Sequence, residues 1–341
     1  MNGGVILAEI RKDIITGGAV IISPERGKRP HDFKQSESNI PSTQNYHEDC
    51  PFCQGNEGQT PPEIFAYREG NYGPNEKGWS IRAVPNLFSP LKKDTKLEVL
   101  ERGFYEKISA AGTAEVFIET PEHKETLGTH SHEQVVKIIK GLKERYISLK
   151  EDERLKYIQV FKNFGSSGGA SKEHAHWQIM SLPIVPELIE KEIIGSKKYY
   201  EDKKICPYCD IVKKELSDNE RVVIESESFI AVCPYASKFA FETWIIPKVH
   251  KGQFELLTEN EIDDLAKVLK DIVSKMERGF NYPPYNIVIH TTPIDMGEQT
   301  YYHWHIEILP RLTIFAGFEW GTGVIINPTP PELATQSLKE I

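Results

Sequence analysis

The sequence predicts an α+β protein built from two tandem copies of one unit, each an antiparallel or mixed sheet with a packed helix. Three observations predict this. A Cys-x-x-Cys pair lies near the start of both halves, an amphipathic helical pattern lies in the middle of each, and a His-x-His pattern lies near the end of each. Chance similarity of two α+β segments rarely reproduces the order of such distinctive residues, so the pattern indicates a duplicated unit.

The first half shows this order in full. A strand pattern over residues 79–84 is followed by a second strand, whose sequence ends in Pro-Glu-His123. A helix is predicted over 132–149, because apolar residues recur there at helical spacing. A strand over 157–162, a glycine-rich turn and the run His174-Ala-His176-Trp-Gln178 complete the unit.

The second half repeats the order with a strand over 229–233, a strand followed by Pro-Lys-Val-His250, a helix over 259–276, a strand over 285–290 and His303-Trp-His305. Residues 196–204 are rich in Lys, Tyr and Asp and suit a linker, so units of 1–195 and 196–341 are expected. The two units could each bury a core or join their sheets edge to edge, and the sequence leaves both arrangements open.

Composition excludes some classes of function. The 341 residues carry a formal charge of −9, which argues against nucleic-acid binding because that usually needs a basic face. The first ten residues lack a basic flank followed by an apolar run, and no uncharged apolar stretch approaches the roughly 20 residues of a membrane helix. We therefore expect a cytoplasmic protein without a membrane partner.

Four of the five cysteines form two Cys-x-x-Cys pairs, which in an intracellular chain indicate metal ligands or redox centres before disulfides. Zinc favours tetrahedral sulfur and nitrogen ligands, and each pair is followed by histidines in matching places. A redox dithiol is the alternative, but the repeated pattern favours two structural zinc ions per chain. Cys233, the fifth cysteine, is expected to be a buried inert thiol. The candidate ligands are Cys50, Cys53, His123 and His174 in the first half, and Cys206, Cys209, His250 and His303 in the second.

Residues 163–178 carry the strongest catalytic pattern. Three glycines within five positions, 165, 168 and 169, let the backbone approach a ligand and point amide groups at a phosphate. His174, His176 and Gln178 alternate, so an extended strand places them on one face. A histidine beside a phosphate cradle can attack phosphorus and form a covalent phosphoramidate. A metal ligand beside a surface histidine is the simpler alternative, but the composite pattern favours catalysis.

This segment resembles the active-site motif of galactose-1-phosphate uridylyltransferases, a branch of the histidine-triad superfamily. The resemblance extends to residues 11–30, to Cys50-Pro-Phe-Cys53 and the residues up to Glu57, and to Val84-Pro-Asn86. Residues 229–250 and 284–328 are especially similar to the plant ADP-glucose phosphorylase branch, which shares the second cysteine pair. The resemblance implies two histidine-triad-like units, the first catalytic and the second not.

The resemblance also implies roles for individual residues. His176 is the nucleophile, and Gln178 and Ser171 hold the phosphates. Asn86 belongs to the nucleoside-contacting strand, and both cysteine sets match metal sites of the family. Relatives with a different second site use a glutamate near the place of Glu192. Further substrate-binding residues are Asn163, Gly165 and Gly169 in the glycine turn, and Arg26 and Arg29, which we expect to offset the acidic charge at the phosphates.

Two departures from the family pattern matter. The uridylyltransferase motif reads His-Pro-His-Gly-Gln, whereas Ala175 and Trp177 replace Pro and Gly here. Trp177 is expected to point away from the face that holds His176, so the chemistry survives while the nucleotide or sugar preference is put in doubt. In the second half Glu307 stands in the place of Gln178 and no Gly/Ser loop precedes His303, so that half is expected to keep the scaffold without the chemistry.

The expected reaction is a ping-pong transfer of UMP, in which UDP-glucose and galactose 1-phosphate give glucose 1-phosphate and UDP-galactose. The backbone carbonyl near His174 is expected to orient the His176 ring. The alternative within the class is an ADP-glucose or dinucleoside tetraphosphate phosphorylase. A zinc-stabilised nucleotide-binding protein without turnover is the alternative from another class. The resemblance suggests a homodimer with residues shared across its interface.

Overall fold

The computed structural model describes residues 8–28 and 39–341, and it confirms the α+β class. Arg29 lies outside the described residues. Within the described ranges the strands are β1 Glu9–Lys12, β2 Ala19–Ile22, β3 Phe65–Arg68, β4 Trp79–Pro85, β5 Val99–Arg102, β6 Tyr105–Ile108, β7 Thr113–Ile118, β8 Tyr157–Phe164, β9 His176–Leu182, β10 Val222–Glu225, β11 Phe229–Val232, β12 Thr243–Pro247, β13 Tyr285–His290, β14 His305–Pro310 and β15 Ile325–Asn327. The helices are α1 His132–Leu149, α2 Glu187–Lys203, α3 Pro207–Asp218, α4 Glu259–Gly279, α5 Gly317–Thr322 and α6 Pro331–Glu340.

One antiparallel sheet of ten strands runs through both halves, in the order β10-β11-β12-β14-β13-β8-β9-β7-β4-β3. Five strands come from each half, and the order read outward from the centre is the same on both sides. This repeated topology confirms the duplication. The centre is the pairing of β13 with β8, in which Ile289 faces Val160 and Tyr285 faces Phe164. The two sheets are therefore joined edge to edge, which was one of the two arrangements that the sequence left open.

Helices α1 and α4 lie against each other on one face of this sheet and cover a single apolar core. Helix α1 has the predicted bounds, and its N-cap Ser131 accepts a hydrogen bond from the backbone N–H of Gln134. Helix α4 begins where predicted, at a capping box between Thr258 and Glu261, and extends to Gly279. Trp177 belongs to this core and so points away from the face that holds His176, as expected.

The other face of the sheet is covered differently in the two halves. In the second half, α3 and part of α2 pack on β10, β11 and β12 around Tyr208 and Trp244. In the first half, the segment with Cys50 and Phe52 packs on β4 and β7. Residues 196–204, which suit a linker by composition, form the last turns of α2 and its cap Lys204, so the expected boundary at 195 and 196 falls within a helix.

The amino-terminal strands belong to the second half in space. Strands β1 and β2 form a small sheet with β15, which pairs with β2 in parallel. Arg11 of β1 donates hydrogen bonds to the carboxylate of Glu332 and to the carbonyl of Tyr235. Strands β5 and β6 form a separate exposed hairpin. Within residues 8–28 and 39–341, no helix combines the length and the apolar character needed to cross a membrane.

The position of Trp177 generates a stability prediction. Its side chain is 1% exposed in the core under α1, so Trp177→Ala should lower the free energy of unfolding by about 3–5 kcal/mol. Met180 lies on the opposite face of the same strand and is half-buried, so Met180→Ala should cost less than half as much. Chemical denaturation of both variants measures this, and equal losses would contradict the assignment of the two faces.

Candidate active site and metal centres

His176 is the first residue of β9. It pairs with Ile118 of β7 on one side, and the carboxyl end of β8 runs beside it on the other. Its side chain is buried, and its Nδ1 lies 2.8 Å from the carbonyl oxygen of His174. Because a carbonyl can only accept, Nδ1 carries the proton and Nε2 keeps a free lone pair. The carbonyl therefore orients the ring as the sequence analysis expected.

The surroundings of the ring favour its neutral form. The ring of Phe52 lies against it, with a centroid distance of 5.4 Å. Burial lowers the pKa of His176, the bond to the His174 carbonyl partly opposes this, and the ammonium of Lys162 lowers the pKa further. A neutral imidazole at neutral pH is the form that can act as a nucleophile.

The glycine turn adjoins a cavity of about 270 Å³ that is lined by Asn163, Gly165 and Ser171, among others. Gly165 has φ +74°, and a Cβ there would meet the side chain of Asn39 at 2.8 Å, so only glycine fits this position. Gly169, also at positive φ, lies beside the amide of Asn163. The structure thus brings these predicted residues together. His176 and Gln178 lie on the following strand and are not among the residues that line this cavity.

The second half holds the glycine turn in place through Asn286, which the sequence analysis missed. The Nδ2 of Asn286 donates to Oδ1 of Asn163 at 2.8 Å and to the carbonyl of Gly168 at 2.7 Å. Strand β13 faces β8 in a register that places Asn286 opposite Asn163. A lone amide in the apolar run Tyr-Asn-Ile-Val-Ile-His was the available signal, but only the pairing of the two halves reveals its partner.

The remaining predicted substrate-binding residues lie apart from this turn. Asn86 follows β4, and its side chain accepts a hydrogen bond from the backbone N–H of Phe88. Arg26 lies in the short 3-10 helix Pro24–Lys28, and no contact described for its side chain reaches the glycine turn or His176. Substrate contacts by Asn86, Arg26 and Arg29 therefore stay predictions.

The four predicted ligands of the first metal set converge, with one donor atom from each lying within 4.8 Å of the others. Sγ of Cys53 is 3.3 Å from Nδ1 of His123 and 3.7 Å from Nδ1 of His174. Nε2 of His174 donates to the carbonyl of Thr120 at 2.8 Å, which leaves its Nδ1 lone pair aimed at the sulfurs. Burial raises the pKa of Cys53 to about 11, so a bound cation is what would hold this sulfur as a thiolate at neutral pH. These residues fit a tetrahedral metal ion.

The second set repeats the arrangement with Cys206, Cys209, His250 and His303. Sγ of Cys209 lies 3.3 Å from Nδ1 of His250 and 3.7 Å from Nδ1 of His303, and Nε2 of His250 donates to the carbonyl of Gln299. This pair lies at the start of α3, the position that a redox dithiol also needs. Two histidine nitrogens face its sulfur, however, and this completes a second set of residues that could hold a metal ion. Cys233 is fully buried, and burial raises its pKa to about 12, as expected of an inert thiol.

Glu192 belongs to neither set. It lies on α2 with its carboxylate 2.9 Å from Nδ1 of His290, and it accepts a hydrogen bond from the hydroxyl of Tyr302. His305 and Glu307 complete this buried cluster, whose donor atoms lie within 4.8 Å of one another. His305 occupies the position that matches His176, and its ring is covered by Tyr208, with centroids 4.8 Å apart. In the second half, Tyr208 and this cluster therefore surround the histidine that matches His176.

Comparison with known proteins agrees with this geometry. The models of the galactose-1-phosphate uridyl transferase N-terminal and C-terminal domains match residues 5–186 and 192–313. The chain is 37% identical to an ADP-glucose phosphorylase of Arabidopsis thaliana, covering 98% of this chain and 93% of the relative. It is 30% identical to a galactose-1-phosphate uridylyltransferase of Thermotoga maritima, covering 98% of both. The chain belongs to the galactose-1-phosphate uridyl transferase family.

Solved structures give the same result. The crystal structure of an Arabidopsis thaliana ADP-glucose phosphorylase with bound ADP-glucose superposes with a TM-score of 0.82 at 34% identity, covering 98% of this chain and 99% of that one. A uridylyltransferase structure superposes with a TM-score of 0.75 at 28% identity, covering 98% of each chain. The protein is thus a nucleotidyltransferase, with relatives of two different substrate preferences.

The anchoring of the glycine turn generates a prediction. Asn286→Ala removes both hydrogen bonds to the turn and should lower turnover about tenfold, because a displaced turn misaligns the phosphates. Gln159→Ala is the matched control, since Gln159 donates two hydrogen bonds elsewhere on the same β8–β13 pair, to the carbonyls of Val160 and Ile289. Steady-state kinetics and thermal melts of both variants measure this. Equal loss of turnover in both variants would mean that the strand pairing, and not the turn, is responsible.

Proposed function

We propose that this protein transfers a nucleotidyl group from a nucleotide sugar to an acceptor phosphate through a covalent nucleotidyl-His176. The observation that carries the proposal is the buried His176 ring, whose Nδ1 is held by the His174 carbonyl while Nε2 keeps its lone pair, at the start of the strand that follows the glycine turn. Nε2 attacks the α-phosphorus, and the bond from that phosphorus to the bridging oxygen breaks. Hexose 1-phosphate leaves as an anion, so no strong general acid is needed.

The residues around His176 suit the charges that this step creates. Bond formation at Nε2 places a positive charge on the ring, and the carbonyl that accepts from Nδ1 stabilises it. The backbone amides of the glycine turn and the hydroxyl of Ser171 are the proposed donors to the phosphate oxygens, with Gln178 and Asn163 as further donors. In the second step an oxygen of the acceptor phosphate attacks the same phosphorus, and the bond to Nε2 breaks.

For the donor and acceptor we propose ADP-glucose and inorganic phosphate, the alternative of the sequence analysis. The greater identity with the ADP-glucose phosphorylase supports this choice, as does the departure from the uridylyltransferase motif at Ala175 and Trp177. The second candidate pair is UDP-glucose and galactose 1-phosphate. It is supported by the matching family models and by the full-length similarity to a galactose-1-phosphate uridylyltransferase.

The covalent intermediate is directly testable. Incubation with ADP-glucose or UDP-glucose and no acceptor should add one nucleotidyl group to the chain and release glucose 1-phosphate, and intact-protein mass spectrometry identifies the base that is accepted. His176→Gly should abolish the adduct without changing the metal content, because His176 is in neither ligand set. An adduct on the His176 variant would reassign the nucleophile. If neither donor modified the wild-type protein, the non-catalytic binding protein would replace this proposal.

We also propose that each cysteine set holds one zinc ion with a structural role, which gives two per chain. The support is the donor chemistry, since two thiolates balance the charge of Zn²⁺ and imidazole nitrogens complete a tetrahedron. Zinc supplies a cross-link at these sites and no reacting group. In the first set, the side chain of His174 is a proposed zinc ligand, and the backbone carbonyl of the same residue orients the ring of His176. Fixing His174 therefore also fixes the ring of the nucleophile.

Metal content tests this second proposal. Elemental analysis of gently purified protein should find about two zinc ions per chain, and Cys50→Ser should remove about one of them and lower the melting temperature. His174→Ala should lose zinc and stability together, whereas His176→Gly should keep both. Zinc-free wild-type protein of normal stability would overturn the assignment.

The homodimer expected from the sequence stays a proposal. Its support is the exposure of large apolar side chains near α5, where Ile314 is 93% and Trp320 75% exposed in the single chain. Apolar patches of this kind are typical of subunit interfaces. The cytoplasmic location also stays a prediction.

A further inference from the structure

A buried cation lies directly behind the nucleophile. Lys162 of β8 is 1% exposed, and its Nζ lies 2.5 Å from Oε1 of Glu119 and 3.4 Å from the carbonyl oxygen of His176. Oε2 of Glu119 lies 3.1 Å from Nε2 of His130. This chain of contacts lies on the helix-covered face of the sheet. Lys162 lies on the same face of β8 as the core residues Val160 and Phe164, which are two positions before and after it. The side chain of His176 projects from the other face of the sheet.

Glu119 is joined to the catalytic segment by its backbone as well. Its N–H donates to the carbonyl of Ala175, the residue between His174 and His176. The next carbonyl, that of Thr120, accepts the hydrogen bond from Nε2 of His174. Residues 174–176 are thus held from the β7 side by the backbone of residues 119 and 120, and from the β8 side by the Lys162 ammonium.

A contribution to the stability of the fold does not by itself explain the buried ion pair of Lys162 and Glu119. An apolar set of similar volume is often as stable as a buried ion pair, because desolvation of the two charges offsets their attraction. The contacts of these two residues instead converge on the carbonyls of Ala175 and His176, in the two peptide units that flank the Cα of His176. The pair is also neutral as a unit, since the carboxylate of Glu119 balances the ammonium of Lys162 beneath a ring that becomes positively charged during the reaction.

We propose that Lys162, Glu119 and His130 form a positioning network for the nucleophile, which holds the His174–His176 backbone so that Nε2 is aligned with the α-phosphorus. These are positioning residues and do not touch the substrate. The inference rests on the proposed function, because it assigns a role in forming nucleotidyl-His176. It predicts that disruption slows the attack itself and leaves the binding of the nucleotide sugar almost unchanged.

Glu115 provides a matched control. Glu115 lies four residues before Glu119 on the same face of the sheet and is also buried. It pairs with Arg145 of α1 through contacts of 2.7 and 3.0 Å. Glu115→Gln therefore breaks a buried ion pair on the same strand away from His176. Lys162→Met and Glu119→Gln each remove one partner of the buried ion pair and leave the other charge without it, so a loss of folding in a single variant would not test the network. The double variant Lys162→Met/Glu119→Gln removes both charges and avoids that cost.

The experiment measures nucleotidyl-enzyme formation in a single turnover with ADP-glucose, and with UDP-glucose as the second donor, alongside KM, zinc content and melting temperature. The double variant should retain zinc and melt close to wild type, yet form the adduct about 10- to 100-fold more slowly. Its KM should change less than about threefold, whereas Glu115→Gln should keep the rate within about twofold of wild type. Soluble single variants should show the same kinetic loss as the double variant.

The outcomes separate this inference from the proposed function. If wild type forms the adduct and the double variant matches its rate, the network has only a structural role and the inference is overturned. Slowing by Glu115→Gln to the same extent would also overturn it, because any buried charge on β7 would then serve equally. If wild type forms no adduct with either donor, the proposed function and this inference fall together.

Discussion

The pairing of β8 with β13 is the interaction on which the rest of the structure depends. It joins two five-stranded sheets into one, so that a single core under α1 and α4 is shared by both halves. It also sets Asn286 opposite Asn163 and thereby fixes the glycine turn from the other half of the chain. A duplicated unit has in this way become one structure, in which the half that contains the glycine turn relies on its counterpart for the shape of that turn.

The two halves share one framework but differ in what surrounds the second histidine of the His-x-His run. Both keep a Cys₂His₂ set, and in both the carbonyl before the strand accepts from Nδ1 of the second histidine of the His-x-His run. In the first half a glycine turn with an adjoining cavity precedes the strand of His176, and Phe52 lies against the ring. In the second, Tyr208, Glu192 and His290 surround His305. The difference lies in what packs against the strand and not in the strand itself.

Several features of the fold and of the candidate sites could be predicted from sequence, because their patterns are local or occur in both halves. Helical spacing predicts the bounds of α1, and the cysteine pairs with their following histidines predict the two sets that converge as candidate metal sites. Other elements carry weaker local signals. Helix α2 has polar residues around much of its surface and therefore suits a linker by composition, although its packing against the amino-terminal segment at Ile15 and its left-handed cap at Lys204 define it as a helix. Helix α3 is short and begins within the second cysteine pair, so its sequence is dominated by the metal-ligand pattern.

The sequence by itself determined the duplicated α+β class, the identity of the candidate metal ligands and the alternation that places Trp177 opposite His176, because each follows from periodicity or spacing along the chain. Only the tertiary structure decided that the two sheets join at their edges, that Asn286 anchors the glycine turn, that Glu192 belongs to a third cluster, and that Lys162 pairs with Glu119 behind the strand of His176. Each of these pairings joins residues more than 40 positions apart in the chain, and for Lys162 that partner is Glu119. Such contacts are set by strand order and register, which no local pattern of residues specifies.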